Sequence, residues 1–264
     1  MTMPCGPGVV LRRYPFDETH CVAVLLTRDW GLVRAVARGV RRHGSRLAAG
    51  LTLFSLTEFQ FHCRARADLW RVIQAQTVRT HRGLSSDLDR LGRAARLAEL
   101  VQNLTPEHEP QAEIFSLLVS AFGLLDAGAD HAVIGPAAEI LLLDRLGYHP
   151  RWERCGACGG ETGELAYSPE NGDVRCRGCR PAGGIGLAPG DRRFITHVRR
   201  RGLTAAVRLK ADPVALGRLH TFLDAAWQGV LGRPLKSDAF RRAVGVLPAC
   251  LPESGRRAPQ GVVT

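Results

Sequence analysis

The chain has 264 residues, 45% of them apolar and 6% aromatic, with a formal net charge of +11 and a pI near 10.0. That apolar share is enough for a real core, in one large domain or two to three small ones, and excludes a chain too polar to fold. No run of eighteen apolar residues and no charged-then-apolar leader with a cleavage site occurs, so neither a membrane span nor a secreted protein is expected; a cytoplasmic, nucleoid-associated one is.

The charge is unevenly spread. Arginines dominate before residue 83, acids outnumber bases from 83 to 150, and the chain is basic again afterwards. Two basic ends around an acidic middle point to a polyanion, with nucleic acid ahead of an anionic membrane, because no helix pairs a lysine-rich face with a strongly apolar one.

Short β-branched and apolar runs at 8–13, 20–27, 32–40, 51–62 and 69–78 predict five strands within residues 1–80, a small barrel of OB-fold type or an SH3-like one. In the third run alternation puts Val33, Ala35, Ala37 and Gly39 on the inner face and Arg34, Val36, Arg38 and Val40 on the outer. Continuing through Arg41, Arg42, His43 and Arg46 gives a basic strand and loop, a candidate nucleic-acid surface; the plainer alternative is a charged edge that resists aggregation. Phe54, Phe59, Phe61 and Trp70 are expected in the barrel core, and Trp30 at a turn tip is the best base-stacking candidate.

From residue 81 the period lengthens to that of a helix. Ser85 or Ser86 is the expected N-cap of a helix facing inward through Leu88, Leu91, Ala95, Ala98 and Val101. A second helix is expected over 111–127 and a third over 136–146 with Pro136 in its first turn, the three forming the first part of a helical bundle, 81–150. Asp87 and Asp89, two apart at a helix start, are read as favouring the helix dipole and not as nuclease metal ligands.

Between 151 and 183 the pairs Cys155-Gly156-Ala157-Cys158 and Cys176-Arg177-Gly178-Cys179 have the doubled spacing of a tetrahedral four-cysteine zinc site. A closed four-sulfur shell leaves no position for water, so one structural Zn2+ is expected, folding a loop with little core of its own. The alternatives are two disulfides or a redox dithiol. The intervening 159–175 reads as a hairpin around Pro169-Glu170-Asn171-Gly172, which is not a thioredoxin context. The remaining cysteines, Cys5, Cys21, Cys63 and Cys250, are scattered and read as free thiols.

The bundle resumes over 184–247. Pro189 opens a helix carrying Arg192, Arg193, Arg199, Arg200 and Arg201, the first four of them a second candidate DNA surface. Asp212 caps a longer helix that buries Leu216, Leu219, Phe222, Leu223, Ala226 and Val230, and Ser237 caps a last one with Phe240 and Val244 inward. A disordered tail is expected over 248–264. No Walker loop, dinucleotide fingerprint, nucleophile elbow or HExxH motif occurs, so no catalytic residue is assigned and the chain reads as no enzyme.

The stretch GVVLRRYPFDETHCVAVLLTRDWGLVRAVARGVRRHGSRLAAGLTLFSLTEFQF resembles the amino-terminal domain of the RecO recombination mediators, and GRPLKSDAF resembles their carboxy-terminal helix. The resemblance implies an OB-fold followed by a helical domain into which many members insert a zinc module. It also implies binding of single- and double-stranded DNA, annealing of complementary strands, and work with RecR in loading recombinase onto DNA coated by single-strand-binding protein, in the RecF pathway. Of the candidate arginines only Arg34, Arg38, Arg41 and Arg42 fall within the matching motif. Two other function classes stand beside it: a zinc-containing nuclease or glycosylase, and a scaffold whose acidic bundle binds other repair proteins.

Overall fold

The computed structural model describes residues 3–63, 69–152, 154–160, 164–180, 183–210 and 212–243; the expected tail at 248–264, Val244 and Cys250 lie outside them. Alternating apolar residues carry the chain through β1 (Cys5–Pro15), β2 (Cys21–Thr27) and β3 (Gly31–Ala37), an antiparallel meander. A five-residue helix, α1 (Arg46–Gly50), interrupts what the sequence suggests is loop and strand, and β4 (Leu56–His62) starts five residues later than the alternation predicts. With β5 (Trp70–Arg79) the sheet closes in the order β1-β2-β3-β5-β4, the β3–β5 seam being parallel at Ala35↔Trp70 and Val36↔Arg71. This closed five-stranded barrel is the OB-fold of the two expected architectures.

Inside the barrel lie Val10, Ala23, Leu25, Val33, Ala35, Phe59, Phe61 and Trp70. Val40, placed on the outer face by alternation, is buried with them, because β3 ends at Ala37 and the chain turns inward. Phe54 is buried but not in the barrel: it sits between barrel and helices, its ring edge against Phe122 at 5.2 Å. Every residue of β2 is buried. Ala23 and Leu25 face the barrel interior, while Val24 and Leu26 join Val9, Leu11 and Leu32 in the core shared with the helices.

The helical part begins with the short α2 (Arg82–Ser85), then α3 (Leu88–Leu104), α4 (Ala112–Asp126) and α5 (His131–Arg145). The cap of α3 is Asp87, one or two residues past the expected serines: its carboxylate accepts from the N–H groups of Asp89 and Arg90. Helix α5 starts five residues before the expected Pro136, capped by Asp130 at the N–H of Ala132. Pro136 therefore lies inside the helix.

The buried face of α3 matches the expected one only in part: Ala98 and Val101 are buried as expected. Leu88 is exposed and Leu91 and Ala95 are half-buried, while Arg93 and Arg96 point inward with Ala94, Leu97 and Leu100. Arg96, 1% exposed, meets Glu139 of α5 (Nε to Oε2, 3.0 Å), and Glu139 Oε2 also accepts from the Trp227 indole N–H at 2.9 Å.

The loop between α3 and α4 straps the barrel. His108 donates its backbone N–H to the Leu32 carbonyl at 3.0 Å and its ring stacks on Trp70 at 5.3 Å. Gly31, at φ +65°, accepts this strap because a Cβ there would lie 1.9 Å from the Glu109 carbonyl oxygen.

Past the helices a three-stranded sheet forms from β6 (Leu165–Ser168), β7 (Asp173–Cys176) and β8 (Ile185–Gly186), in the order β7-β6-β8. This bears out the hairpin expected between the cysteine pairs. The module has more core than its sequence suggests: Leu165, Tyr167, Val174 and Cys155 belong to the same buried cluster as the helices.

The chain ends in α6 (Pro189–Arg201), the short α7 (Leu203–Ala206), α8 (Pro213–Leu231) and α9 (Lys236–Ala243). Asp212 caps α8 as expected, and Val230 is half-buried. Helix α9 is capped not by Ser237 but from α3: the Glu99 carboxylate accepts the N–H groups of Lys236 (2.9 Å) and Ser237 (2.8 Å). Phe240, expected inward, is 47% exposed. Asp238 of α9 turns in, its Oδ2 2.5 Å from Arg96.

Candidate metal centre and nucleic-acid interface

Each cysteine pair sits on a tight backbone turn. Gly159 N–H bonds back to the Cys155 carbonyl at 2.9 Å, and Cys179 and Arg180 N–H both return to the Cys176 carbonyl, at 3.0 and 2.9 Å. Gly156 is required by close approach and not by backbone twist, since a Cβ there would fall 2.4 Å from Asp173 Oδ2.

The turns bring the sulfurs of Cys155, Cys158, Cys176 and Cys179 within 4.8 Å of one another, with Cys158 and Cys176 at 3.9 Å. A tetrahedron of sulfurs 2.3 Å from a central ion has edges of about 3.8 Å, so the residues present fit a four-thiolate metal site. Their acidities agree. Backbone N–H groups of Cys158 and then Cys176 hold the Cys155 thiol down to about 6, while hydrogen bonds to the neighbouring Cys176 and Cys158 thiols push Cys179 up to about 12. One thiolate is favoured and four are not, unless a cation supplies the missing charge.

The module is fixed to α8 by aromatic contacts: Trp152 and Tyr167 both set ring edges against Phe222, at 5.0 and 5.1 Å.

The barrel arginines divide. Arg34, Arg38, Arg41, Arg42 and Arg46 are all exposed. Arg34 is already engaged by the strap, Nε to Glu107 Oε1 at 2.7 Å, and Arg41 donates to the Asp17 carbonyl at 3.0 Å. Arg38, Arg42 and Arg46 have no acidic partner among the described residues. Trp30 is 40% exposed, its edge on Trp70 at 5.9 Å.

On α6 the structure selects among the expected arginines. Arg192, Arg193 and Arg200 line an open groove of about 560 Å³ together with Trp152, Pro189, Thr196, His197 and Arg201. Arg199 faces α5, where its Nε and Nη2 both contact Asp144 Oδ1 at 3.0 and 2.7 Å. The groove also takes in Trp152 and His197, which the sequence reading passed over. Trp152, three residues before the first cysteine and without apolar neighbours in sequence, carries no signal of its position; His197, at i+4 and i+5 from the arginine pair, carries the helical period.

Residues 1–81 match the family model described as Recombination protein O N terminal, and residues 85–239 match Recombination protein O C terminal. The chain belongs to the RecO family. Relatives named DNA repair protein RecO include one from Anaeromyxobacter sp. (strain K), 33% identical over 244 residues, covering 91% of this chain and 96% of the relative. Others are from Heliobacterium modesticaldum, 36% identical over 222 residues (81% and 76%), and Roseiflexus sp. (strain RS-1), 30% identical over 237 residues (88% and 83%). The two RecO models meet at 81–85, where the last barrel strand gives way to helix, so barrel and helices are both parts of the family pattern. None of the described helices is long and apolar enough to cross a membrane.

Proposed function

We propose that this RecO family member is a non-catalytic DNA repair and recombination mediator that binds single- and double-stranded DNA and anneals complementary strands. With RecR it would load recombinase onto DNA coated by single-strand-binding protein. One Zn2+ holds its four-cysteine module, tetrahedral sulfur coordination being a preference of that ion.

The observation that carries the reading is the presence of two arginine surfaces on well-packed elements: the loop after β3, with Arg38, Arg41, Arg42 and Arg46, and the α6 groove. Annealing needs no nucleotide hydrolysis, because base pairing supplies the free energy. The protein has to lower phosphate repulsion and hold two strands near each other. Arg38, Arg41, Arg42 and Arg46 would contact one backbone, joined by Arg34 where Glu107 releases it, and Arg192, Arg193 and Arg200 a second, while Arg199 is assigned to structure by its pair with Asp144. The reading as a nuclease or glycosylase loses ground to it: Asp87, one of the two acids weighed as metal ligands, spends its carboxylate on capping α3.

Double charge reversal, Arg38→Glu with Arg41→Glu, should weaken binding to every DNA sequence at least tenfold. The slope of log affinity against log salt on single strands should become shallower by about 1.4, or 0.7 for each lost phosphate contact. Fluorescence anisotropy at two salt concentrations measures both; unchanged affinity and slope remove this surface from the site. Annealing of labelled complementary strands without nucleotide, and intact strands in magnesium, separates the mediator from a nuclease or glycosylase. A scaffold would bind no DNA.

The strap adds a second expectation. The Arg34 and Glu107 side chains are 46% and 34% exposed, a setting in which an ion pair contributes about 0–1 kcal/mol to stability. Glu107→Gln should therefore leave the unfolding midpoint nearly unchanged while releasing Arg34 for phosphate, raising DNA affinity a few-fold at low salt. An unchanged or weakened affinity shows that Arg34 serves the strap alone.

A further inference from the structure

The α6 groove contains a donor that the folded chain leaves unused. Trp152 is 6% exposed, and its indole Nε1–H is fully buried with no acceptor among the described residues. Arg192 Nε, on the same groove, is likewise without one. Buried donors are almost always paired in folded proteins, so two in one basic groove mark a place where an acceptor is missing. Trp152 packs its ring perpendicular to Phe222 (80°, 5.0 Å) on α8, which fixes the indole beside the groove.

The acid of α6 does not compete. Asp191 is 1% exposed, clasped by Arg218 (Nε to Oδ2 2.6 Å, Nη2 to Oδ1 2.9 Å) and by the Ala188 N–H at 2.9 Å.

From these observations we infer that the α6 groove is a phosphodiester-binding subsite in which the Trp152 indole N–H is a donor, beside the guanidinium groups of Arg192, Arg193 and Arg200. The proposal rests on the DNA-binding function above and adds to its second surface a donor that is not an arginine. Arg192 and Arg200 lie eight residues apart on one helix face, about 12 Å, against an axial rise of about 3.4 Å per nucleotide of a duplex strand, so the row spans three to four nucleotides. The groove is open, and four of the eight residues lining it are arginines, whose guanidinium groups suit a charged backbone lying along it.

The subsite also ties DNA to the metal centre, because Trp152 reaches the groove from the segment that leads into Cys155 and packs on the same Phe222 as Tyr167 of β6.

The test uses the full, metal-loaded chain with 15N-labelled indoles. The four tryptophans give four indole N–H resonances, and Trp152→Phe, which keeps a ring against Phe222, identifies its own by deletion. On titration with a thymidine oligonucleotide the Trp152 resonance should move in proportion to binding. Trp152→Phe should bind roughly tenfold more weakly, the size expected for one hydrogen bond to a charged acceptor, while remaining folded under the titration conditions. Arg192→Ala with Arg200→Ala, which leaves the Phe222 contact intact, should prevent the shift.

A Trp152 resonance that stays still while the protein binds the oligonucleotide overturns this subsite and leaves the barrel surface standing. A larger response to a polyglutamate peptide than to the oligonucleotide overturns it in favour of an acidic protein partner. No binding of any oligonucleotide in dilute buffer is instead a failure of the DNA-binding function itself.

Discussion

Replacing Arg96 by alanine is expected to cost about 3–5 kcal/mol of unfolding free energy, the effect of removing one partner from a buried ion cluster. Arg96 is 1% exposed and touches carboxylates from three other helices: Glu139 of α5 at 3.0 Å, Asp224 of α8 at 2.7 Å and Asp238 of α9 at 2.5 Å. Glu139 is as buried as Arg96 and its other tie is the Trp227 indole, so without the guanidinium an ionised carboxylate is left in the core.

The cluster is already short of positive charge. Partial burial raises the Asp224 carboxyl above its ordinary value; Arg96 opposes this, and Asp238 and Glu139 add to it. A pKa raised in the folded state means that the ionised form costs the fold stability, and that acidification relieves the cost. In Arg96→Ala the Asp224 carboxyl loses the cation that opposes this rise, so the deficit against wild type should be largest near neutral pH and shrink at mildly acidic pH. Urea unfolding at both pH values measures it. A pH-independent deficit would mean lost packing and not stranded charge. Arg96→Lys keeps the charge but cannot fork to three acceptors, and should fall between the two.

Removing the metal should produce the second large loss. Structural zinc contributes about 10–16 kcal/mol to small zinc-finger modules, and that is the upper bound here, because Leu165, Tyr167 and Val174 also pack into the helical core. Chelation, or Cys176→Ser, should deprotect amides of β6 and β7 to hydrogen exchange while those of β2 and β3 keep their protection. Metal analysis of the purified chain should return one zinc per molecule. An unfolding curve and exchange pattern indifferent to chelator would dismiss the cysteine cluster as a structural centre.

The barrel was legible because its strands alternate: Val33, Ala35 and Ala37 inward against Arg34 and Arg38 outward is a period that local chemistry alone dictates. The metal centre was legible because thiol spacing within each turn fixes which sulfurs can meet. What escaped depended on neighbours distant in sequence. Arg93 and Arg96 look like solvated charges on α3, and become buried only because acids and aromatics on other helices come to meet them. A signal did exist, since Glu139 is a lone acid in the apolar run Ile134 to Leu143, where only a buried partner makes ionisation tolerable. Pro136 misled for a related reason. Proline favours a first turn, but Asp130 caps α5 further upstream and packing on every side of the helix holds the interior proline in place. Glu99 and Ser237 show the same limit, because a cap supplied from another helix leaves no trace beside the helix it caps.

The double burial of β2 sets how this protein can be divided. A gene fragment stopping at Arg79 would keep all five strands, yet leave Val9, Leu11, Val24, Leu26 and Leu32 as a greasy stripe facing water where α3 and α4 should lie. Barrel and bundle should therefore fold as one piece, and loss of the second half would show itself as precipitation of the first.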